Sequence, residues 1–308
     1  MRVAVVLNPR AGSGAALRRL PDIRRRLDEA GVRFQVLETR GPGDASRRVA
    51  EARDDGADCV AVVGGDGTLN EACQAYVDDD GQPRRGPDLA LLPAGTGGDF
   101  RKTFGIEDDV DAAITRLLTA APRPIDLGVL DLTADDGAPR RRAFLNITSF
   151  GLGGLTDRIV NAGPKWIGGR AAFFVGALRA TLVYRNAPVE VRCDGQLFHE
   201  GPVLNVAIAN GKYFGGGMFI APDALPDDGR FDIVALGDLG RAEGLAISPK
   251  IYQGTHLAAR KVTSTRAASV EARPLHAGAE VLIDMDGETP GRLPLRASLL
   301  PGALRLRG

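Results

Sequence analysis

The sequence is poor in cysteine and histidine, has no excess of either charge and contains no long uninterrupted apolar run. Cys59, Cys73 and Cys193 are odd in number, far apart and form no Cys-x-x-Cys pair, which excludes a disulfide framework and a cysteine zinc site and points to a reducing compartment. His199, His256 and His276 lack metal-ligand spacing and read as surface or hydrogen-bonded residues. Lysine plus arginine and aspartate plus glutamate both number 39, so no global field draws nucleic acid or an anionic membrane, and any charged partner has to be held by a local site. The opening MRVAVVLNPR reaches Asn8 after five apolar residues, too few for a signal-peptide core. The least polar long stretch, Trp166 to Tyr184, is interrupted by Arg170 and Arg179 and makes a poor membrane span. A cytoplasmic protein is expected. With 44% hydrophobic and 25% charged residues, neither a disordered nor a membrane-embedded chain fits.

What is present is organisation in two textures. At about 150 residues per domain, 308 residues predict two domains. Over the first 120 residues short apolar runs alternate with segments of helical period, the pattern of β-α-β units around a parallel sheet. Strands are predicted at Val3–Leu7, Phe34–Leu37, Cys59–Val63 and Leu89–Leu92. Helices are predicted over Ala15–Ala30, with Leu17, Leu20, Ile23 and Leu27 as its stripe, over Asp44–Arg53 with Asp44 as its cap, along Leu69, Ala72, Cys73 and Tyr76, and along Val110 to Leu118. Beyond Asp126 the runs are short and alternating: Ala143–Thr148, Val189–Cys193, Val203–Ala209, Phe231–Leu236, Val270–Ala272 and Val281–Met285, with helices only at Gly163–Tyr184 and Arg241–Gln253. The boundaries this predicts are an α/β domain over 1–124 and a β-rich domain over 125–295, with a tail of about 296–308 that returns to the first.

Three loops follow strands at one edge of the predicted sheet, where a parallel sheet presents its ligand crevice. In Gly64-Gly65-Asp66-Gly67-Thr68-Leu69-Asn70-Glu71 the glycines allow close backbone approach, and free N–H groups at a helix start favour a phosphate. Asp66 would repel that phosphate unless a cation stands between them, so its presence points to Mg²⁺ bridging to a nucleotide. A tight turn followed by a capping box, Thr68-x-x-Glu71, is expected as well. Asn8-Pro9-Arg10-Ala11-Gly12-Ser13-Gly14 is either a phosphate cradle or an ordinary βα loop; it matches neither GxxxxGK[ST] nor a full GxGxxG. In Leu92-Pro93-Ala94-Gly95-Thr96-Gly97-Gly98-Asp99-Phe100, Thr96 offers a hydroxyl, and Asp99 either a site carboxylate or a helix cap. Asp286-Gly287, taken alone, reads as a hairpin turn.

Together these loops resemble the lipid kinase family that includes bacterial diacylglycerol kinases, YegS-like kinases, and sphingosine and ceramide kinases. The resemblance rests on GGDGTLNE at Gly64–Glu71, NP-x-x-G at Asn8–Gly12 and GT-x-x-DF at Gly95–Phe100. It extends to Ala221-Pro222 with Asp228-Gly229-Arg230-Phe231-Asp232, and to Asp286-Gly287-Glu288. Gly98 departs from the Asn usual in the family. The resemblance implies an α/β nucleotide-binding domain of NAD kinase-like fold followed by a β-rich sandwich domain. It implies ATP contacts from Asn8, Pro9, Arg10, Ala11, Gly12, Thr39, Gly65, Asp66, Gly67, Thr68, Leu69, Asn70, Glu71, Thr96 and Asp99. Glu288 is implied as proton acceptor with Asp286 beside it, Asp66 as the residue engaging catalytic Mg²⁺, and Leu225 and Arg230 through their carbonyls, with Asp228, as holders of a structural Mg²⁺. The implied activity is ATP-dependent phosphorylation of a lipid hydroxyl, diacylglycerol first, by a protein working peripherally at the inner membrane surface, with no nucleic acid partner and a homodimer as one possible assembly. A sphingoid base or ceramide kinase, an NAD kinase and a catalytically silent nucleotide- or lipid-binding regulator are the alternatives. Trp166, Ile167, Phe173, Phe174 and Val175 would either line an acyl-chain pocket or pack in a core.

Overall fold

The structure is a computed structural model that describes residues 1–94, 98–162, 176, 179–276 and 278–307. It divides into two compact units, Met1–Leu127 with Leu300–Gly308, and Gly128–Leu299.

The first unit runs β1 (Arg2–Leu7), α1 (Ala15–Glu29), β2 (Arg33–Glu38), α2 (Asp44–Asp54), β3 (Cys59–Gly64), α3 (Asp66–Cys73), β4 (Asp88–Pro93), α4 (Asp99–Thr103) and α5 (Val110–Thr119). The strands pair in parallel in the order β4-β3-β1-β2. Continuous apolar runs are required because both faces are covered. Val3, Val5 and Leu7 with Cys59, Ala61 and Val63 face Leu20, Ile23 and Leu27 of α1 and Ile114 and Leu117 of α5. The alternate residues Ala4, Val6, Val60 and Val62 are equally buried, and α2 and α3 pack against β1 and β3. The chain moves outward from β1 to β2 and then crosses back to β3, so the order reverses between β1 and β3, the switch point where such sheets bind ligands.

Two expected caps are not made. Gly43, not Asp44, is the N-cap of α2; Asp44 is the first helical residue, and its carboxylate takes the Arg40 N–H (2.8 Å) and pairs with Arg47. Gly64 and Gly65 make the turn into α3, so the helix already begins at Asp66 and Thr68 lies inside it. The Thr68–Glu71 box therefore does not close: the Thr68 hydroxyl accepts from Asn8 (3.0 Å), and the Glu71 carboxylate accepts the Ala45 N–H (3.4 Å).

The second unit is built from β5 (Arg123–Thr133), β6 (Pro139–Phe144), β7 (Ile147–Gly151), α6 (Leu152–Ala162), β8 (Ala187–Cys193), β9 (Gln196–Val203), β10 (Asn205–Ala209), β11 (Phe231–Leu236), α7 (Arg241–Gln253), β12 (Val262–Ala267), β13 (Ser269–Pro274), β14 (Leu282–Met285) and β15 (Glu288–Arg307). One path of strands runs β12-β11-β10-β7-β14-β15, and β13, β8 and β9 branch from β15. Val206 and Ile208 of β10, Phe150, Phe231 and Ile283 share a core with Val189, Val191, Val270 and Leu295 from the branch, which makes the sandwich. The opposite face of β10, Ala207 and Ala209, packs with Ile247 and Ile251 of α7.

Two runs expected as single strands each divide. Ala143–Thr148 breaks at Leu145–Asn146, where the chain leaves β5 for β10 and β14. Val203–Ala209 breaks at Leu204, between the partner β8 and the partners β7 and β11. Both stretches are buried at every position, so the run alone does not reveal a change of partner. Helix α6 was not expected; its close approach to β14 is permitted by Gly154, where a Cβ would lie 2.4 Å from the Leu282 carbonyl oxygen. Of the expected helix at Gly163–Tyr184, residues 179–183 are helical, whereas Trp166, Ile167, Phe173, Phe174 and Val175 lie outside the described residues. No helix among the described residues is long and apolar enough to cross a membrane.

Strand β15 is 20 residues long. Within the first unit, Leu306 and Arg307 pair in parallel with Leu89 and Ala90 of β4. The buried Asp88 carboxylate takes Arg305 Nε (2.7 Å) and Arg307 Nε (3.0 Å), and Asp126 accepts the Gly302 N–H (2.7 Å). Asp88→Ala removes both charge-assisted bonds and is expected to cost about 1–3 kcal/mol in chemical denaturation; Arg305→Ala, at a half-exposed side chain, is expected to cost less.

Candidate functional site

In the first unit, Leu7 pairs with Val63 and Gly64 with Pro93, so the loops after β1, β3 and β4 leave one sheet edge together. They are tied to one another. Asn8 N–H reaches Val63 O (3.2 Å), its side-chain oxygen takes the Arg10 N–H (3.0 Å), and Ala94 N–H reaches Gly64 O (2.9 Å). Gly12 sits at φ +57°, and a Cβ there would lie 2.3 Å from the Ala94 oxygen, which accounts for glycine in the first loop by contact with the third. Thr39, at the end of β2, is anchored through its N–H to Leu7 O (2.9 Å) and is buried.

Asp66 lies at the centre of these loops. Its Oδ2 accepts the N–H groups of Gly98 and Asp99, both at 3.0 Å, while Oδ1 is buried with no hydrogen-bond partner among the described residues. Burial pushes the acid up from its ordinary value, and the neighbouring Asp99 charge pushes the same way against the backbone N–H groups of Asp99, Phe100 and Gly98. The backbone N–H of Gly98, where the family usually has Asn, is itself part of this clamp. Asp99 is the first residue of α4 rather than its N-cap, and its carboxylate takes Lys102 Nζ (2.9 Å). Gly67 has open space around it, and Leu69 and Asn70 are buried. Thr96 lies outside the described residues. An orphaned buried carboxylate oxygen beside a helix N-terminus fits a divalent cation that takes its other ligands from phosphate and water.

In the second unit, Met285 pairs with Glu288 across a two-residue turn in which Asp286 and Gly287 have φ +49° and +88°. The turn is thus the expected hairpin, of the type with both central residues left-handed. Asp286 accepts the N–H groups of Ile147 (3.0 Å) and Leu145 (3.4 Å), so its carboxylate holds the turn against β7. Glu288 is half-exposed, and its Oε2 lies 3.3 Å from Arg142 on β6.

Of the residues implied to hold a structural Mg²⁺, Leu225 and Arg230 would offer carbonyls, while the Asp228 carboxylate is paired with Arg266 and takes the Arg230 N–H (3.0 Å), so a cation there would compete with Arg266. Among the described residues no group of three His, Cys, Asp or Glu side chains comes together. The nearby Asp232, whose Oδ2 lies 3.6 Å from Arg266 Nε, is pushed up to about 6 by burial and the charge of Asp223.

Residues 2–130 match the family model of the diacylglycerol kinase catalytic domain, and residues 146–308 that of the YegS C-terminal NAD kinase beta sandwich-like domain. The chain is 32% identical over 282 residues to a probable lipid kinase YegS-like of Stenotrophomonas maltophilia, covering 90% of this chain and 87% of that protein. The chain belongs to the family of YegS-like lipid kinases and diacylglycerol kinases. It is also 27% identical over 296 residues to a diacylglycerol kinase of Bacillus subtilis, covering 95% of this chain and 91% of that protein. A solved putative diacylglycerol kinase from Bacillus anthracis superposes with a TM-score of 0.77 at 25% identity, covering 99% of this chain and 96% of that one.

Beneath the turn of this lipid kinase lies a pair of acids that sequence reasoning missed. Asp284 on β14 is buried; its Oδ1 accepts the Gly287 N–H (3.1 Å), and its Oδ2 accepts the Ser149 hydroxyl (3.0 Å). It also hydrogen-bonds the buried Asp157 of α6, a contact between two carboxyl groups that requires a shared proton. Burial, then the Asp157 charge, pushes Asp284 well above the carboxylate range, and burial raises Asp157. The available signal was an acid inside the apolar run Val281–Met285. Because the folded pKa is raised above the unfolded one, the pair's contribution is present at low pH and lost as pH rises through the folded value. Thermal melts from about pH 5 to about pH 9 are expected to show a decline in wild-type stability that Asp284→Asn flattens, since the amide donates to Asp157 without titrating.

Proposed function

We propose that this lipid kinase transfers the terminal phosphoryl group of ATP to the hydroxyl of diacylglycerol. The observation that carries the reading is Asp66: a buried carboxylate with one oxygen clamped by two N–H groups and the other left bare, in a glycine turn at the sheet's switch point. Neither a tight turn nor a helix cap has a use for that bare oxygen, whereas a cation carried by a nucleotide does. Diacylglycerol as acceptor is supported by the relatives named as diacylglycerol kinases.

In this reading the first unit binds the nucleotide. The loop Asn8, Pro9, Arg10, Ala11 and Gly12, the N-terminal turn of α3 from Gly65 to Glu71, and Thr39 and Asp99 would form its surroundings, with the N–H groups at the start of α3 available to phosphate oxygens. Asp66 would hold Mg²⁺, whose chemistry would be to neutralise phosphate charge. The second unit supplies the proton acceptor. As the acceptor oxygen bonds to phosphorus and the phosphorus–oxygen bond to ADP breaks, the Glu288 carboxylate takes the hydroxyl proton, while Asp286 keeps the turn in place through Leu145 and Ile147. Phosphoryl transfer depends chiefly on positioning and charge neutralisation, and no nucleophilic side chain is called for.

The test is purified protein incubated with labelled ATP and, separately, diacylglycerol, a sphingoid base, ceramide and NAD⁺. Labelled phosphatidic acid is expected; a labelled product only from another acceptor, or none, overturns the proposal. Asp66→Asn and Glu288→Gln are each expected to lower kcat by roughly 10²-fold or more. At alkaline pH, Asp66→Asn is expected to melt at or above the wild-type temperature in the absence of metal, because it removes a buried charge and keeps the oxygen that accepts from Gly98 and Asp99.

A further inference from the structure

Helix α7 is apolar on two opposite faces. Its inner face, Ile247 and Ile251, is buried in the second unit, as the fold requires. Its outer face carries Leu245, Pro249 and Tyr252 at i, i+4 and i+7, flanked by the exposed Ala242 and Ala246. Leu245 is 56% exposed and Tyr252 52%, although a helix apolar on both faces is ordinarily enclosed on both. Charge singles out what this face meets. Between Arg241 and Lys261 the chain has four basic residues, Arg241, Lys250, Arg260 and Lys261, against the single acid Glu243, in a protein whose total charge is zero. Glu243 is itself engaged, with Lys261 (2.7 Å) and the Gly240 N–H (2.8 Å).

We infer that the outer face of α7 docks on an anionic bilayer, with Leu245, Pro249 and Tyr252 entering the headgroup boundary and Arg241, Lys250 and Arg260 meeting lipid phosphates. At 13 residues the helix is too short to span a membrane and suits a position along its surface. A second copy of the chain is disfavoured as occupant, because a two-fold contact would bring the same basic residues together. The placement also suits a kinase whose acceptor is a lipid. The C-terminal end of α7 lies against the loop after β10: Phe219 N–H reaches Ile251 O (3.2 Å), and Tyr213 in that loop stacks on Phe219 and accepts through its carbonyl from Asn146 (2.8 Å), next to the Ile147 that holds Asp286.

The inference extends the lipid kinase reading but is measured without turnover, so the two fail separately. The full-length protein, without nucleotide, is sedimented with vesicles of phosphatidylcholine and phosphatidylglycerol in equal parts, and with vesicles of phosphatidylcholine alone. Binding to the mixed vesicles, weaker on phosphatidylcholine alone and weakened by salt, is expected. Leu245→Asp with Tyr252→Asp is expected to reduce partitioning by about tenfold or more, and Arg241→Glu with Lys250→Glu to do the same without touching the apolar face. Activity on detergent-dispersed lipid is expected to stay at the wild-type level in both variants, which also shows that they fold. Wild-type protein that ignores the mixed vesicles, variants that bind as well as wild type, or a wild-type dimer dissolved by the aspartate substitutions would each overturn the assignment.

Discussion

A buried carboxylate has to be compensated, and the first unit is arranged around one. Asp66 takes the N–H groups of the turn into α4 on one side and, among the described residues, keeps one oxygen without a hydrogen bond. Those N–H groups come from Gly98 and Asp99, so the acid joins the turn after β3 to the loop after β4. Asn8 joins the loop after β1 to the same turn through Thr68. Three loops far apart in sequence are thereby held at one sheet edge, and in the proposed reading the oxygen without a hydrogen bond is where a cation would be held.

The second unit handles acids in another way. Asp284 and Asp157 hydrogen-bond each other, which requires a proton between them, and Asp284 also holds Gly287 and Ser149. Asp286, one strand position beyond Met285, is spent on backbone N–H groups of Leu145 and Ile147. Glu288 is half-exposed beside the Arg142 guanidinium, and in the proposed reaction it would take the acceptor's proton. Replacing Asp286 would therefore disturb Glu288 through the turn, whatever else it did.

Strand β15 has a structural task of its own. It begins at Glu288 and ends paired with β4, where Asp88 grips Arg305 and Arg307. The residue that starts the strand belongs to the proposed chemistry and the residues that finish it complete the sheet of the first unit. Its alternating residues after Gly291 resemble those of any sandwich strand, and a pattern of period two carries no information about which partner lies at either end.

Local chemistry was legible wherever a residue's role depends on near neighbours. The apolar runs of β1, β3 and β4, the stripe of α1, the glycine turn around Asp66 and the Asp286-Gly287 hairpin follow from periodicity and from the conformations glycine allows. Roles decided by distant partners were not legible. Thr68 and Glu71 have the spacing of a capping box, yet they bond to Asn8 and Ala45. Asp228 is paired with Arg266, 38 positions further along the chain. Asp157 and Asp284 are 127 residues apart and become a pair only because α6 lies on β14. The physical reason is common to all three cases: a polar group takes whichever donor or charge the folded chain brings nearest, and only the tertiary structure determines which one that is.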